Sequence, residues 1–193
     1  MSSLKGRIEF LESELKAVPP RISVHHELPF AIFRYDPADE WDLRREVRLL
    51  ATRLEATGKE VHVVPMSDFL WKAIDETEGL DEVVGLERSR GYAAAQDQVT
   101  TYLSDRDFRP LAGLLADRLE RLPPAKSIAF LTRVAVMAPG IYHMSKLMDE
   151  MKGRTRVTTV LFYPGSIEGT TGLRFMDLKD REALGNYRVK IYG

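Results

Sequence analysis

Four short runs rich in β-branched and aromatic residues are spaced along the chain, with amphipathic helical patterns between them, and this alternation constrains the fold most. The runs are Pro29 to Tyr35 (PFAIFRY), Glu60 to Pro65 (EVHVVP), Ser127 to Val136 (SIAFLTRVAV) and Thr155 to Tyr163 (TRVTTVLFY). After the first, Asp36 to Asp39 reads as a turn and cap, and a helix beginning near Glu40 or Trp41 carries Leu43, Val47, Leu50 and Leu54 on one face. Gly58 sits where that helix should be capped. Ser67 and Asp68 open a second helix through about Thr77. Leu80 to Leu103 is mostly helical, weakened by Gly85 and Gly91. Leu111, Leu114, Leu115, Leu119 and Leu122 define a further helix that ends at Pro123-Pro124, and Ile141 to Met151 is the last. Arg188 to Tyr192 (RVKIY) is expected to add a short edge strand. Strands separated by helices of this length point to βαβ units. The expected fold is therefore α/β: a three-layer domain with a mainly parallel four- or five-stranded sheet flanked by helices.

Ahead of the first strand, Leu4, Ile8, Leu11 and Leu15 recur at helical spacing until Pro19-Pro20 stops the pattern. Residues 1–193 are expected to form a single α/β domain, with residues 1–18 as an N-terminal amphipathic helix and 26–193 as the core. That helix is expected to pack on the main domain or on another protein. With 44% apolar and 30% charged residues, a chain of 193 can bury roughly 70% of the surface that its unfolded form exposes.

Charge and cysteine content narrow the function. The formal net charge is −1, with no basic stripe, so the field that supports sequence-independent DNA binding is missing and direct DNA contact is not expected. Nineteen arginines stand against nine lysines; arginine offers a planar fork for carboxylate or phosphate. Without cysteine there is no disulfide framework, thiolate metal site or thiol nucleophile. Met1 to Phe10 lacks the apolar stretch of a secretory signal, and the apolar run around Val134 to Ala138 is too short to cross a bilayer. A soluble, cytoplasmic protein is expected.

The strand exits are the expected seat of any chemistry, because open α/β sheets bind ligands there. No Walker signature occurs. Gly165 to Gly172 (GSIEGTTG) follows a strand but lacks the lysine; Gly165, Ser166, Gly169 and Thr170 are candidates for an anion held by backbone amides, against the plainer reading of a solvent-exposed turn or hairpin loop. The histidines His25, His26, His62 and His143 show no metal-ligand spacing. Asp36 and Asp39, with Glu40 and Asp42, could serve acid–base or magnesium chemistry, but helix capping puts acids there anyway. There is no G-x-S-x-G elbow. The expectation is a non-enzymatic protein with no catalytic residue, metal or cofactor.

Partner binding is the remaining reading. Arg44 and Arg48 lie one turn apart on a helix face, where they could grip a phosphate or a partner carboxylate. Tyr163, Arg174, Phe175, Tyr187, Arg188 and Tyr192 concentrate aromatic rings and guanidinium groups toward the C-terminal end, the residue types enriched at binding hot spots. The terminal stretch should close either against the sheet or against a partner.

Several segments resemble one family along nearly the whole chain and in the same order. They are Pro19-Pro20-Arg21-Ile22-Ser23, Leu28 to Tyr35, Thr101-Tyr102-Leu103-Ser104, Leu161-Phe162-Tyr163-Pro164-Gly165, Gly172-Leu173-Arg174-Phe175 and Asn186 to Tyr192. The chain resembles the BrxB family of the BREX bacteriophage-exclusion system. The resemblance implies an accessory or assembly subunit of a phage-defence complex. It implies other BREX proteins as partners, PglZ first, with the ATPase BrxC and the methyltransferase PglX as further candidates, and it brings no catalytic residues. Two alternatives rest on the residues alone: a degenerate nucleotide- or nucleic-acid-binding α/β domain, and a metal-dependent nuclease using Asp36 or Asp39.

Overall fold

The computed structural model describes residues 3–22, 28–169, 172–178, 187 and 189–193. Helix α1 (Leu4–Lys16) leads into β1 (Phe30–Tyr35), α2 (Glu40–Glu55), β2 (Glu60–Pro65) and α3 (Met66–Asp75). Then come α4 (Leu80–Arg90), α5 (Tyr92–Ser104), α6 (Leu111–Glu120), β3 (Ser127–Thr132), α7 (Met144–Glu150), β4 (Thr158–Glu168), β5 (Gly172–Phe175) and β6 (Lys190–Tyr192). The α/β class and the flanking helices match the expectation.

The sheet runs in the order β2-β3-β4-β1-β6, with every neighbouring pair on that path parallel. β5 instead turns back on the far end of β4 as an antiparallel hairpin. From β1 the chain crosses to the far edge through α2, then returns strand by strand from β2 to β4 through α3–α6 and α7. A uniform crossover hand puts the outgoing helix on one face and the returning ones on the other, and the two buried clusters show this. Ala31, Phe33, Tyr35, Ile128, Phe130, Val160 and Phe162 meet α1 and α2. Phe30, Ile32, Ala129, Leu131, Leu161 and Tyr163 meet α3, α5, α6 and α7. Consecutive strand residues thus go to opposite faces. Because both faces are covered, β1 and β3 read as continuous apolar runs. β2, at the edge, is only partly buried.

α1 belongs to this core. Ile8, Leu11 and Leu15 are fully buried against the α2 face. Polar ties hold the helix as well: Arg53 Nε donates to Glu12 at 2.6 Å, Arg7 Nη1 donates to the Arg34 carbonyl at 2.9 Å, and Lys190 pairs with Glu14.

Several boundaries differ from the pattern reading, each for a local reason. The long helix expected over Leu80 to Leu103 breaks at Gly91, whose φ of 87° no helix can use. The third strand stops at Thr132, because Arg133 adopts a left-handed conformation, and a 3-10 turn over Val134–Met137 follows. The fourth strand continues past Tyr163 to Glu168, since the hairpin with β5 supplies partners for its extension.

Candidate functional site

The carboxyl ends of β1, β2 and β3 and the middle of β4, at Phe162, converge under the first half of α2. Between them lies a half-open cavity of about 200 Å³ lined by Tyr35, Leu43, Val47, Val63, Pro65, Thr132 and Phe162, with Glu40, Arg44, Arg48 and Arg133 at its polar side. Local sequence builds each part. Asp36 Oδ1 accepts from the Ala38 N–H at 2.8 Å, which turns the chain off β1 and starts α2 at Glu40. Helical spacing then puts Leu43 and Val47 over the sheet and Arg44 and Arg48 along the cavity's edge.

Within the site, one carboxylate is fully engaged. Glu40 accepts from the Tyr35 hydroxyl and from Arg44 Nε, the latter at 2.7 Å. Burial, and after it the neighbouring Glu40 carboxylate, push the Tyr35 hydroxyl far above its ordinary value, so it stays protonated as a donor. Arg44 also stacks on Trp41, its guanidinium carbon 4.6 Å from the ring centroid. Among the described residues neither Arg48 nor Arg133 takes part in an ion pair. The site is therefore cationic on balance and holds one carboxylate that is already satisfied.

Beside it, a larger space of about 670 Å³ opens between α1, the end of β1 and β6. It is lined by Arg7, Phe10, Arg34, Asp36, Asp39 and Tyr192, among others. Burial and the adjacent Arg34 lower the affinity of Arg7 for its proton. Asp36 and Asp39 lie on this side of the turn, opposite the two arginines. Among the described residues no group of three or more His, Asp or Glu side chains is placed to hold a metal ion.

The aromatic residues of the C-terminal stretch turn inward. Tyr187 and Tyr192 are 6% and 3% exposed. Tyr163 packs edge-on against Phe175 at 5.4 Å and Tyr187 at 5.9 Å, and Phe10 of α1 lies 5.7 Å from Tyr192. β6 hydrogen-bonds to β1, so this segment closes against the sheet. Arg174 is tied to Glu168 across the hairpin at 2.5 Å. Arg188 lies outside the described residues. Of the partner candidates, Arg44 and Arg48 are thus brought together, while Phe175, Tyr187 and Tyr192 sit elsewhere.

The glycine-rich segment is not a free loop at its start. Gly165 and Ser166 are strand residues that pair with Phe175 and Arg174. A β carbon on Gly165 would stand 2.0 Å from the Arg174 carbonyl oxygen, so its glycine permits close approach of two backbones. Gly169 forms the exposed turn, and Thr170 lies outside the described residues. His25 and His26 also lie outside them, and His62 is on the edge strand β2. The pattern reading missed Arg133 as a site residue. No local signal marks a left-handed arginine, which shows only once the strands are assembled.

A family model described as BREX protein BrxB matches residues 62–191, about two thirds of the chain. The chain belongs to the BrxB family. A BREX protein BrxB from Bacillus cereus (strain H3081.97) is 24% identical over 160 residues, covering 80% of each chain. No solved structure matches at a significant level. The matched family region begins in β2 and ends in β6. It takes in Arg133 and the β4–β5 hairpin, while Arg44 and Arg48 on α2 precede it. No helix among the described residues is long and apolar enough to cross a membrane.

Proposed function

We propose that this BrxB-family chain is a non-catalytic assembly subunit of a BREX phage-defence complex, acting in the cytoplasm by binding another BREX protein, with PglZ the first partner to test and BrxC and PglX after it. The observation that carries the reading is the character of the strand-end site. Its carboxylate and its tyrosine are locked to each other and to Arg44, which leaves arginines, not acid–base groups, facing out. Alongside, the outward face of α2 presents Trp41, Arg45 and Leu49 at one-turn spacing. Trp41 is 76% exposed and Leu49 47%. An exposed tryptophan ringed by arginines is the composition that dominates binding energy at protein interfaces.

The test is capture of the tagged chain from cells expressing a whole BREX operon, followed by mass spectrometry. Stoichiometric recovery of PglZ or another BREX protein is expected, and Trp41→Ala, which removes an exposed side chain and its stacking contact with Arg44, should reduce it. Recovery of the chain alone, under conditions where the other BREX proteins are present, would refute the assembly role.

A further inference from the structure

The cavity under α2 gathers three guanidinium groups from separate parts of the chain. Arg44 and Arg48 come from α2 and Arg133 from the exit of β3. Among the described residues the only carboxylate on its lining, Glu40, is engaged with Tyr35 and Arg44. Nearby, Glu46 lies 3.8 Å from Arg45, and Asp42 pairs with Arg45 at 3.1 Å, so these acids do not serve Arg48. Among the described residues two positive charges thus remain uncompensated beside a recess whose walls include Leu43, Val47, Val63 and Phe162. Low-dielectric walls of this kind strengthen attraction for an anion and focus the field of the arginines.

Arg133 supplies an independent observation. It sits at φ 56° and ψ 36°, the left-handed region that L side chains rarely adopt, at the carboxyl end of a central strand. Glycine would hold that backbone without strain, yet the position carries a long cationic side chain on the rim of the recess. Residues kept in such conformations cluster at ligand sites. The location is also where open parallel sheets bind ligands.

We propose that this recess is an oxyanion site that takes a phosphate group, held by Arg48 and Arg133, with Arg44 and the Thr132 hydroxyl beside it. Two unpaired guanidinium groups suit a dianion better than a monoanion. A recess of about 200 Å³ accommodates a phosphate group and leaves any organic body attached to it outside. The two phosphate-holding arginines stand apart from the partner-docking reading, because Trp41, Arg45 and Leu49 do not line the recess and Trp41 touches it only through its stacking on Arg44.

Inorganic phosphate is the first probe, followed by AMP, in a thermal-shift titration of the full chain at fixed ionic strength with chloride as the reference anion. A saturable rise in melting temperature is expected for phosphate and not for chloride. Arg48→Gln should weaken it about tenfold or more, the loss expected for one charge-assisted contact. Arg133→Gly should do the same, and since glycine relaxes the left-handed backbone, it should leave the unliganded melting temperature unchanged or higher. Tighter binding of AMP than of phosphate would identify a nucleotide as the source, and equal affinity would identify free phosphate. The proposal is overturned if phosphate gives no shift beyond chloride, or if the shift persists undiminished in the Arg48→Gln/Arg133→Gly double variant. Loss of phosphate binding with BREX-protein capture intact in Arg133→Gly, or the converse in Leu49→Ala, separates this site from the docking surface.

Discussion

Leu11→Ala tests whether α1 is an integral part of the domain. Leu11 is completely buried, with Ile8 and Leu15 one turn to either side, against Leu50, Leu54 and the sheet residues of the α2 face. Truncating a buried leucine removes its transfer free energy and leaves a cavity, together about 2–5 kcal/mol. Taking about 3 kcal/mol, and about 2–4 °C per kcal/mol for a chain of this size, the melting temperature should fall by about 6–12 °C in a single transition. Phe10→Ala is the matched control. Phe10 is 56% exposed and its ring meets Tyr192 at 5.7 Å and the Lys190 ammonium at 5.8 Å, so about 1 kcal/mol is expected from the lost contacts. Calorimetry of both variants decides the matter. If Leu11→Ala melts within a degree of wild type, or if a second, separate transition appears, α1 is an appendage and the packing argument fails.

Other perturbations probe the ties and turns around the site. Burial raises the proton affinity of Glu12, but hydrogen bonds from Lys16 and Arg53 outweigh it and hold the carboxyl below its ordinary value of 4.5. Its contribution is therefore present above that value and lost as pH falls through the lower folded one. Glu12→Gln should narrow the stability gap between pH 7 and pH 3, measured by urea unfolding at each. Arg133→Gly should be neutral or stabilising by up to about 1.5 kcal/mol in chemical denaturation, the relief of left-handed strain less the added unfolded-state entropy. Gly165→Ala should cost about 2 kcal/mol or more, because the new methyl meets the Arg174 carbonyl at 2.0 Å and φ is 145°; hydrogen exchange should show the loss in the β4–β5 hairpin.

The fold was legible because its central strands are buried on both faces. PFAIFRY and SIAFLT can only be inner strands of a covered sheet, and leucines every third or fourth residue mark the helices that cover it. Strand order was not legible. Nothing in EVHVVP says that it lies at the edge, beside β3 and three places from β1. A hairpin loop is among the readings of Gly165 to Gly172, but its strands were not legible, because GSIE carries turn-like residues and only pairing with Gly172–Phe175 makes it a strand. For the C-terminal aromatics, composition alone could not separate a binding patch from a core contribution. Tyr192 entered the core because β6 docks on β1 and α1 shelters its end, and Tyr187 because it packs on Tyr163 on the opposite face.

The same dependence on strand order explains why the strand-end site was only half visible. Arg44 and Arg48 advertise themselves by helical spacing, but their partner Arg133 comes from β3, and what joins them is the return of the chain across the opposite face of the sheet. α2 spans from the exit of β1 toward β2, so its first half must pass over the ends of the strands between, β4 and β3. Any side chain at the exit of β3 that points to this face is then brought beneath α2. Arg133 stands at that exit, and its left-handed backbone ends the strand there and sends the chain into the 3-10 turn toward the other face. One residue thus ends the strand and brings a cation to the recess. Replacing it with glycine separates the two roles, because glycine preserves the turn and removes the charge.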